Sequence, residues 1–134
     1  MIESTQPADV TIVMPAFNEN ATILQSLDRV LSQPFVREVI VVDDGSTDGT
    51  RDLLAEIADD RVRVELHPHN RGKGAALRTG IALATSDFVA VQDADLEYYP
   101  ADLVPLLGPL RDGRADVVYG SRFSGSSANR PFHR

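Results

Sequence analysis

Five short strand-like segments alternate with helical patterns along the chain, and this alternation constrains the fold more than any other feature. The segments span residues 10–14, 38–42, 61–66, 88–91 and 116–119. Strands that alternate with helices form βαβ units, in which the strands run parallel and the helices cover the sheet. We therefore predict an α/β, Rossmann-like layer with a mostly parallel sheet and helices on both faces.

The third segment, "RVRVEL", differs from the others because apolar and charged residues alternate strictly along it. Strict alternation is typical of a strand with one face in solvent, whereas strands buried on both faces are continuously apolar. We therefore expect this strand to lie near an edge of the sheet.

Length and charge limit the domain organisation and the possible partners. The chain has 134 residues, which is the length of one domain, and a net charge of −7, which argues against nucleic-acid binding. We assign residues 1–9 to an N-terminal tail and residues 10–123 to the folded domain. Residues 124–134 are rich in Ser, Gly and Asn, and we expect them to form a loose C-terminal segment.

The chain contains no cysteine, so disulfides and thiolate metal sites are excluded, as suits a reducing cytoplasm. No apolar run approaches the roughly 18 residues of a membrane span, and the first residues lack the pattern of a signal peptide. We therefore expect a cytoplasmic protein with no membrane span in this chain.

Charged residues collect just after the predicted strands. The segments that follow the five strands are 15–19, 43–46, 67–74, 92–97 and 120–122, and each of them carries acids or bases. Parallel strands all end at one edge of a sheet, and ligands bind in the crevice beyond that edge. We therefore expect these segments to meet at one site.

The most acidic of these segments, "QDADLE", places Asp93, Asp95 and Glu97 on alternate positions. Residues i and i+2 of an extended segment face the same side, so Asp93 and Asp95 can share a hard cation such as Mg²⁺ or Mn²⁺. Such an ion keeps coordination positions open for substrate phosphates. Alternatively, the acids face the dipole of the next helix. The acidic ends of the other strands favour the metal.

The segment "DDGSTDGT" holds two kinds of candidate. Ser46, Thr47 or Asp48 is expected to cap the following helix. Capping does not account for Asp43 and Asp44, which end the second strand. Their carboxylates can accept hydrogen bonds from a nucleobase N–H or from a ribose hydroxyl.

The segment "HPHNRGKG" carries Arg71 and Lys73 in a glycine-rich turn before a helix N-terminus, which favours phosphate. The spacing is not that of a P-loop, and the chain has no G-x-G-x-x-G sequence. The alternative is an exposed turn with two solvated bases. For His67 and His69 we expect a surface loop rather than a metal site, because no third ligand is evident.

Five motifs in order resemble the family 2 glycosyltransferases of GT-A fold: "VMPAFNE", "VIVVDDGSTDGT", "HNRGKGAALRTG", "QDADLEYYP" and "YGSRF". They are most similar to the branch that contains dolichol-phosphate mannose synthases and bacterial polyprenyl-phosphate glycosyltransferases. The resemblance covers about residues 10–123. It implies an enzyme that transfers a sugar from a nucleotide diphosphate sugar, with UDP or GDP as the nucleotide and Mg²⁺ or Mn²⁺ as cofactor.

The resemblance also implies roles for single residues. The residues expected to bind the nucleotide are Pro15, Phe17, Glu19, Asp43, Asp44, Arg71, Lys73 and Asp93. The expected metal ligands are Asp93, Asp95 and Glu97, with Asp95 as the principal and catalytic one. Glu97 stands where that branch usually has glutamine, which adds a negative charge. Arg122 is the second expected catalytic residue and would approach the phosphates of the donor or of the acceptor.

The implied reaction inverts the configuration at the anomeric carbon of the sugar. A polyprenyl phosphate acceptor is favoured because it is already an anionic nucleophile, whereas a hydroxyl acceptor needs a general base. No such base is obvious after Arg122, and the basic run of Arg122, Arg130 and Arg134 suits an acceptor phosphate. This acceptor would place the protein at the cytoplasmic face of the membrane.

Catalytic domains of that family are considerably longer than this chain, so the resemblance implies its nucleotide-binding half, apparently truncated. One alternative is a non-catalytic nucleotide-sugar-binding or assembly module. Another is a sugar-phosphate nucleotidyltransferase, but "VMPAFNE" offers no glycine to cradle a triphosphate. An incomplete sheet would expose an edge, so we also consider a homo-oligomer.

Overall fold

The computed structural model describes residues 8–96, 99–113 and 117–119. Within them, the strands are β1 (Val10–Ala16), β2 (Val36–Asp44), β3 (Val62–His67), β4 (Phe88–Val91) and β5 (Val117–Tyr119). The α-helices are α1 (Ile23–Leu31), α2 (Thr50–Ala55), α3 (Lys73–Leu83) and α4 (Val104–Arg111). A short 3₁₀ helix, Pro100–Leu103, leads directly into α4.

The five described strands form one sheet in the order β3-β2-β1-β4-β5, and every neighbouring pair is parallel. This confirms the predicted α/β class with a parallel sheet. β3 lies at one edge of the described sheet, as its alternating sequence indicates. β2 is longer than predicted and ends at Asp44, opposite His67 at the end of β3.

One face of the sheet packs against α1, α2 and α4. Alternate residues of the central strands, such as Ile12 and Met14, point to this side and are fully buried. The helices contribute apolar side chains to the same cluster: Ile23, Leu27, Val30, Leu54, Leu107 and Leu110. Burial of this continuous apolar cluster is the main term that stabilises the layer.

The other face packs against α3. Val13 and Ile40 point to this side and contact small or aliphatic residues of the helix, among them Ala76 and Leu77. Gly80 allows the close approach, because a Cβ atom there would lie 2.4 Å from a methyl group of Val13. Helices therefore cover both faces, as the sequence predicts.

The loop after β1 and the loop after β2 are joined by hydrogen bonds. The N–H of Asn18 donates to the Ser46 hydroxyl at 2.9 Å, and the N–H of Thr47 donates to the Asn18 side-chain carbonyl at 2.8 Å. The N-cap residue of α2 is Gly49 and not one of the three predicted residues, although the Asp48 carboxylate accepts from the Thr50 N–H at 3.0 Å. Ser46 instead holds the first loop in place.

The N-terminal end of the domain contacts α4. Asp9, which we assigned to the N-terminal tail, forms a bidentate ion pair with Arg111 of α4, with N–O distances of 3.0 and 2.7 Å.

Across the described ranges, each helix is too short or too polar to cross a bilayer. Residues 124–134 lie outside the described residues.

Candidate functional site

A cavity of about 380 Å³ lies at the carboxyl ends of β1, β2 and β4, beside the start of α3. Its walls come from four separate segments of the chain. The lining residues are Pro15, Ala16, Phe17, Glu19, Asp44, Asn70, Gly72, Lys73, Ala76, Asp93, Ala94 and Asp95. Seven of the predicted site residues are among them, so the strand-end segments do converge: Pro15, Phe17, Glu19, Asp44, Lys73, Asp93 and Asp95.

Asp44 is buried at the floor of this cavity and is held by three hydrogen bonds. Its Oδ1 accepts from the Arg71 N–H and from the His67 ring, and its Oδ2 accepts from the Gly72 N–H, each at 2.9 Å. Burial alone would raise the pKa of Asp44, but these hydrogen bonds outweigh burial and lower it. The cavity therefore contains a fixed, ionised carboxylate.

The position of His67 differs from our prediction. We expected it in a surface loop, but it is the last residue of β3 and only 4% of its surface is exposed. Its Nδ1 lies 2.9 Å from Asp44 Oδ1, and its Nε2 lies 2.9 Å from the Thr79 hydroxyl. Because an ionised carboxylate can only accept, Nδ1 carries a proton and donates it to Asp44. His69 is exposed, as predicted.

Asp43 does not reach the cavity. Successive residues of a strand point to opposite faces, so Asp43 faces α2 while Asp44 faces α3. Its carboxylate is fully buried, accepts from the Ser46 N–H at 3.0 Å, and pairs with Arg51 Nε at 2.7 Å. Arg51 also donates to the backbone carbonyl of His67. Asp43 thus joins α2 to the ends of β2 and β3 instead of facing a ligand.

The acids after β4, Asp93 and Asp95, form an acidic wall of the same cavity. Asp93 Oδ1 pairs with Lys73 Nζ at 2.8 Å, and Asp95 lines the same cavity. Glu19 completes the acidic wall. Burial raises the pKa of Glu19, and the negative charges of Asp95 and Asp93 raise it further. The three carboxylates are therefore close enough to repel one another.

This wall suits a divalent ion that arrives with phosphate. The described part of the chain contains no group of three His, Cys, Asp or Glu placed to ligate one ion by themselves. Mg²⁺ and similar ions are usually bound by one or two carboxylates, with water and substrate phosphates in the other positions. Asp95 and Asp93 can supply those carboxylates, and a cation would relieve the repulsion that raises the pKa of Glu19.

Polar side chains of α1 and of its N-cap residue Thr22, which we did not predict from the sequence, support the acidic segment. Hydroxyl oxygens of Thr22 and Ser26 lie 3.1 and 2.6 Å from the Ala94 carbonyl, and the Ser26 hydroxyl is also 3.0 Å from the Asp95 carbonyl. Arg29 Nη1 donates to the Leu96 carbonyl at 3.2 Å. The signal in the sequence is the spacing of these polar residues, which puts them on one helical face.

The turn before α3 contributes mostly backbone to the site. Arg71 does not line the cavity with its side chain, although its N–H binds Asp44. Asn70 lines the cavity and was missed, although it lies within the "HNRGKG" motif. Gly45 holds this turn against β2, because a Cβ atom there would lie 2.5 Å from the Asn70 nitrogen. Two predicted site residues, Glu97 and Arg122, lie outside the described residues.

The sequence model described as glycosyl transferase family 2 matches residues 11–134, from β1 to the last residue of the chain. The chain belongs to glycosyl transferase family 2. The parallel layer and the cavity at its carboxyl edge agree with this membership.

Curated proteins match over most of this chain but only part of their own length. An uncharacterised glycosyltransferase, YaiP of Escherichia coli, is 43% identical over 96 residues, which are 69% of this chain and 24% of YaiP. The succinoglycan biosynthesis protein ExoO of Rhizobium meliloti is 44% identical over 65% of this chain and 25% of its own. The chain thus spans about a quarter of these relatives.

Solved structures of other proteins share the fold. The mannosyltransferase PcManGT of Pyrobaculum calidifontis, solved with GDP-Man and Mn²⁺, has a TM-score of 0.64 and 34% identity over 74% of this chain and 31% of its own. Glucosyl-3-phosphoglycerate synthase of Mycobacterium tuberculosis, solved with Mn²⁺, UDP and its product, has a TM-score of 0.61 and 34% identity over 76% of this chain and 39% of its own. Both proteins bind a nucleotide with Mn²⁺.

Proposed function

We propose that this chain binds a nucleotide diphosphate sugar together with Mg²⁺ or Mn²⁺ and belongs to an enzyme that transfers the sugar with inversion. The observation that carries the proposal is the cavity that Asp44 shares with Asp93 and Asp95. In it, a fixed acceptor for a nucleoside and an acidic wall for a metal line one space. Membership of family 2 and the Mn²⁺–nucleotide complexes of similar structures support the same function.

Asp95 is the proposed principal metal ligand, Asp93 the second, and Glu97 a third from its place in the motif. An ion held there would stabilise the negative charge that develops on the departing diphosphate. Lys73 already stands at Asp93, so its ammonium group is positioned to turn towards a diphosphate once a metal occupies the carboxylate. Arg71 and Lys73 would both bind phosphate.

The nucleoside would lie between Asp44 and the loop after β1. Phe17 is 45% exposed at the mouth of the cavity, which leaves its ring accessible for contact with a base or ribose. Pro15 and Glu19 line the same wall. Asp44 would accept a hydrogen bond from the base or from a ribose hydroxyl. Asp43 has no part in this assignment, because its side chain is fully buried on the other face.

For the acceptor we propose a polyprenyl phosphate, used at the cytoplasmic face of the membrane as in the branch that the motifs resemble. The basic residues Arg122, Arg130 and Arg134 would meet its phosphate. A phosphate nucleophile needs no general base, so Arg122 would act by holding the reacting phosphates rather than by moving a proton.

Calorimetric titration of UDP and of GDP into the protein, with Mn²⁺ and then with EDTA, tests donor binding. We expect at least one nucleotide to bind with Mn²⁺ and to lose most of its affinity in EDTA. Asp95→Asn should weaken Mn²⁺-dependent binding at least tenfold, because a charged ligand to the ion is lost. Asp60→Asn, in the turn before β3 at the other end of the sheet, is the matched control and should bind normally.

Equal affinity in Mn²⁺ and in EDTA, or equal losses in the two variants, would contradict the proposal. Turnover with polyprenyl phosphate and a radiolabelled donor then tests the acceptor. Donor binding without product would favour a non-catalytic nucleotide-sugar-binding module. Product on a hydroxyl acceptor alone would overturn the polyprenyl phosphate.

A further inference from the structure

The number of hydrogen bonds that Asp44 already accepts limits what a ligand can offer it. A carboxylate has about four acceptor positions. Oδ1 is used twice, by the His67 ring and the Arg71 N–H, and Oδ2 is used once, by the Gly72 N–H. One acceptor position is left, on Oδ2, and Asp44 faces the cavity. A ligand can therefore present a single donor to Asp44.

His67 is the one side chain among the three donors that occupy acceptor positions of Asp44. It is buried between Asp44 and the Thr79 hydroxyl, and both ring nitrogens lie at hydrogen-bonding distance from these groups. The ring orientation is therefore fixed, with Nδ1–H directed at Asp44. The other two donors are backbone groups of the turn before α3. They are present whatever the side chains are, whereas the third donor depends on the residue at position 67.

Uracil and guanine differ in what they present to a carboxylate. Guanine has two adjacent donors, N1–H and N2–H, which match a carboxylate with both oxygens open. Uracil has one donor, N3–H, between two carbonyl oxygens that need donors beside it. Asn70 lines the same cavity, and its Oδ1 already accepts from the Gly72 N–H at 3.1 Å, which leaves its amide N–H groups to donate.

We propose that His67 is a specificity-determining residue, which holds Asp44 so that the site accepts a uracil nucleotide in preference to a guanine nucleotide. This inference rests on the proposed function, in which Asp44 meets the nucleoside. It goes further by naming the base and by giving a role to a residue that does not itself line the cavity. His67 acts through Asp44, since its own ring is covered by Asp44 and Thr79.

The first test compares UDP and GDP on the unaltered protein, by calorimetry with Mn²⁺. We expect UDP to bind about tenfold or more tightly, because guanine would leave one donor without an acceptor in a desolvated site. Equal affinities, or tighter binding of GDP, would overturn the inference and leave the proposed function intact. Failure of both nucleotides to bind would overturn the proposed function and this inference with it.

The second test changes position 67. His67→Leu removes the donor to Asp44 and should narrow the preference for UDP over GDP by about tenfold. His67→Asn keeps an N–H near the place of Nδ1 and should retain most of the preference. Binding of Mn²⁺ without nucleotide should be the same in both variants. A folded His67→Leu protein with an unchanged UDP-to-GDP ratio would contradict the role of His67.

The comparison remains decisive if the leucine variant is unstable. His67→Phe, which fills the space of the ring without a donor, then replaces it and should narrow the preference for UDP by about tenfold, whereas a merely structural role predicts the same fractional loss for UDP and GDP. Loss of the preference in a folded asparagine variant would also count against the inference, because that variant retains the donor.

Discussion

Three aspartates at the strand ends show how neighbours decide what one kind of side chain does. Asp44 is buried and fixed by three donors, Asp43 is buried and paired with Arg51, and Asp93 is partly exposed and paired with Lys73. Burial of a carboxylate is costly unless hydrogen bonds or charges compensate. Of these three, Asp44 and Asp93 combine such compensation with access to the cavity.

Lys73 is the only lysine of the chain, and its pairing with Asp93 has a testable consequence for metal binding. Its ammonium group occupies the carboxylate oxygen that an ion would use. Lys73→Met should therefore raise the affinity for Mn²⁺ alone by about two- to fivefold, the scale of an exposed ion pair, while it weakens the binding of nucleotide diphosphate. Electron paramagnetic resonance of free Mn²⁺ measures the first effect and calorimetry the second.

Arg78→Met, one turn further along α3 on an exposed position, is the control for Lys73→Met. It removes the same charge without removing an ion pair to the acidic wall. If Lys73→Met leaves the affinity for Mn²⁺ alone unchanged, or lowers it, the ammonium group does not compete with the ion.

The pH dependence of stability should show that ionisation of Glu19 destabilises the folded protein. Its pKa is raised above the ordinary 4.5, first by burial and then by nearby carboxylates. A raised pKa means that the stabilisation from protonated Glu19 is present below about pH 4.5 and is lost as the pH rises through the folded-state value. At neutral pH the ionised group therefore lowers the free energy of unfolding.

Glu19→Gln should consequently increase the free energy of unfolding at pH 7, and the increase should shrink towards about pH 4. Urea denaturation of both proteins at the two pH values measures this difference. Glu56→Gln, an exposed position after α2, serves as the reference for a change of net charge alone. A Glu19→Gln protein that is less stable than the original at pH 7 would show that the charge is not penalised.

At the scale of elements, α1 is a scaffold for the acidic segment as well as a core helix. Its apolar side packs on the sheet through Leu27 and Val30, while Ser26 and Arg29 bind consecutive carbonyls beyond β4. The guanidinium of Arg29 also lies 4.9 Å from the centre of the Tyr99 ring. The position of the acidic segment proposed to bind the metal thus depends on a helix far earlier in the chain, with sequence separations of 68 and 69 to Ser26.

Ser26→Ala should loosen this segment. The hydroxyl lies between two carbonyls, so its loss should cost about 1 kcal/mol of stability and several-fold of Mn²⁺-dependent nucleotide affinity. Affinity in EDTA should change little, because the loss acts on the metal ligands. Gln25→Ala, exposed on the same helix, is the matched control in denaturation and calorimetry. Equal effects of the two substitutions would remove the scaffold role.

Much of the arrangement follows from local sequence. The apolar strands and their spacing predict the parallel sheet, and the phasing of charges to strand ends predicts the cavity, because parallel strands end together. Strand pleating places Asp43 and Asp44 on opposite faces of the sheet. Which face carries the cavity depends on where the helices pack, so the sequence could not predict which of the two faces it. Seven predicted residues line the cavity.

Other features depend on tertiary contacts that leave a weak local signal. His67 ends an exposed-looking edge strand, and its burial comes from Asp44 and Thr79, which are distant in the sequence. The support from Ser26 likewise joins α1 to a segment beyond β4. Polar residues within apolar helices were the available hint, but solvent would satisfy them equally well.

For the molecule as a whole, we expect separate strand-end segments to form one site for one nucleotide with its metal. Backbone amide NMR during titration with UDP, and separately with GDP, in Mg²⁺ tests it most directly. We expect signals of residues 16–19, 70–73 and 93–95 to shift together with one dissociation constant, while those at 85–87, on the opposite edge, stay in place. Shifts confined to one segment, or different constants for the three, would contradict the claim.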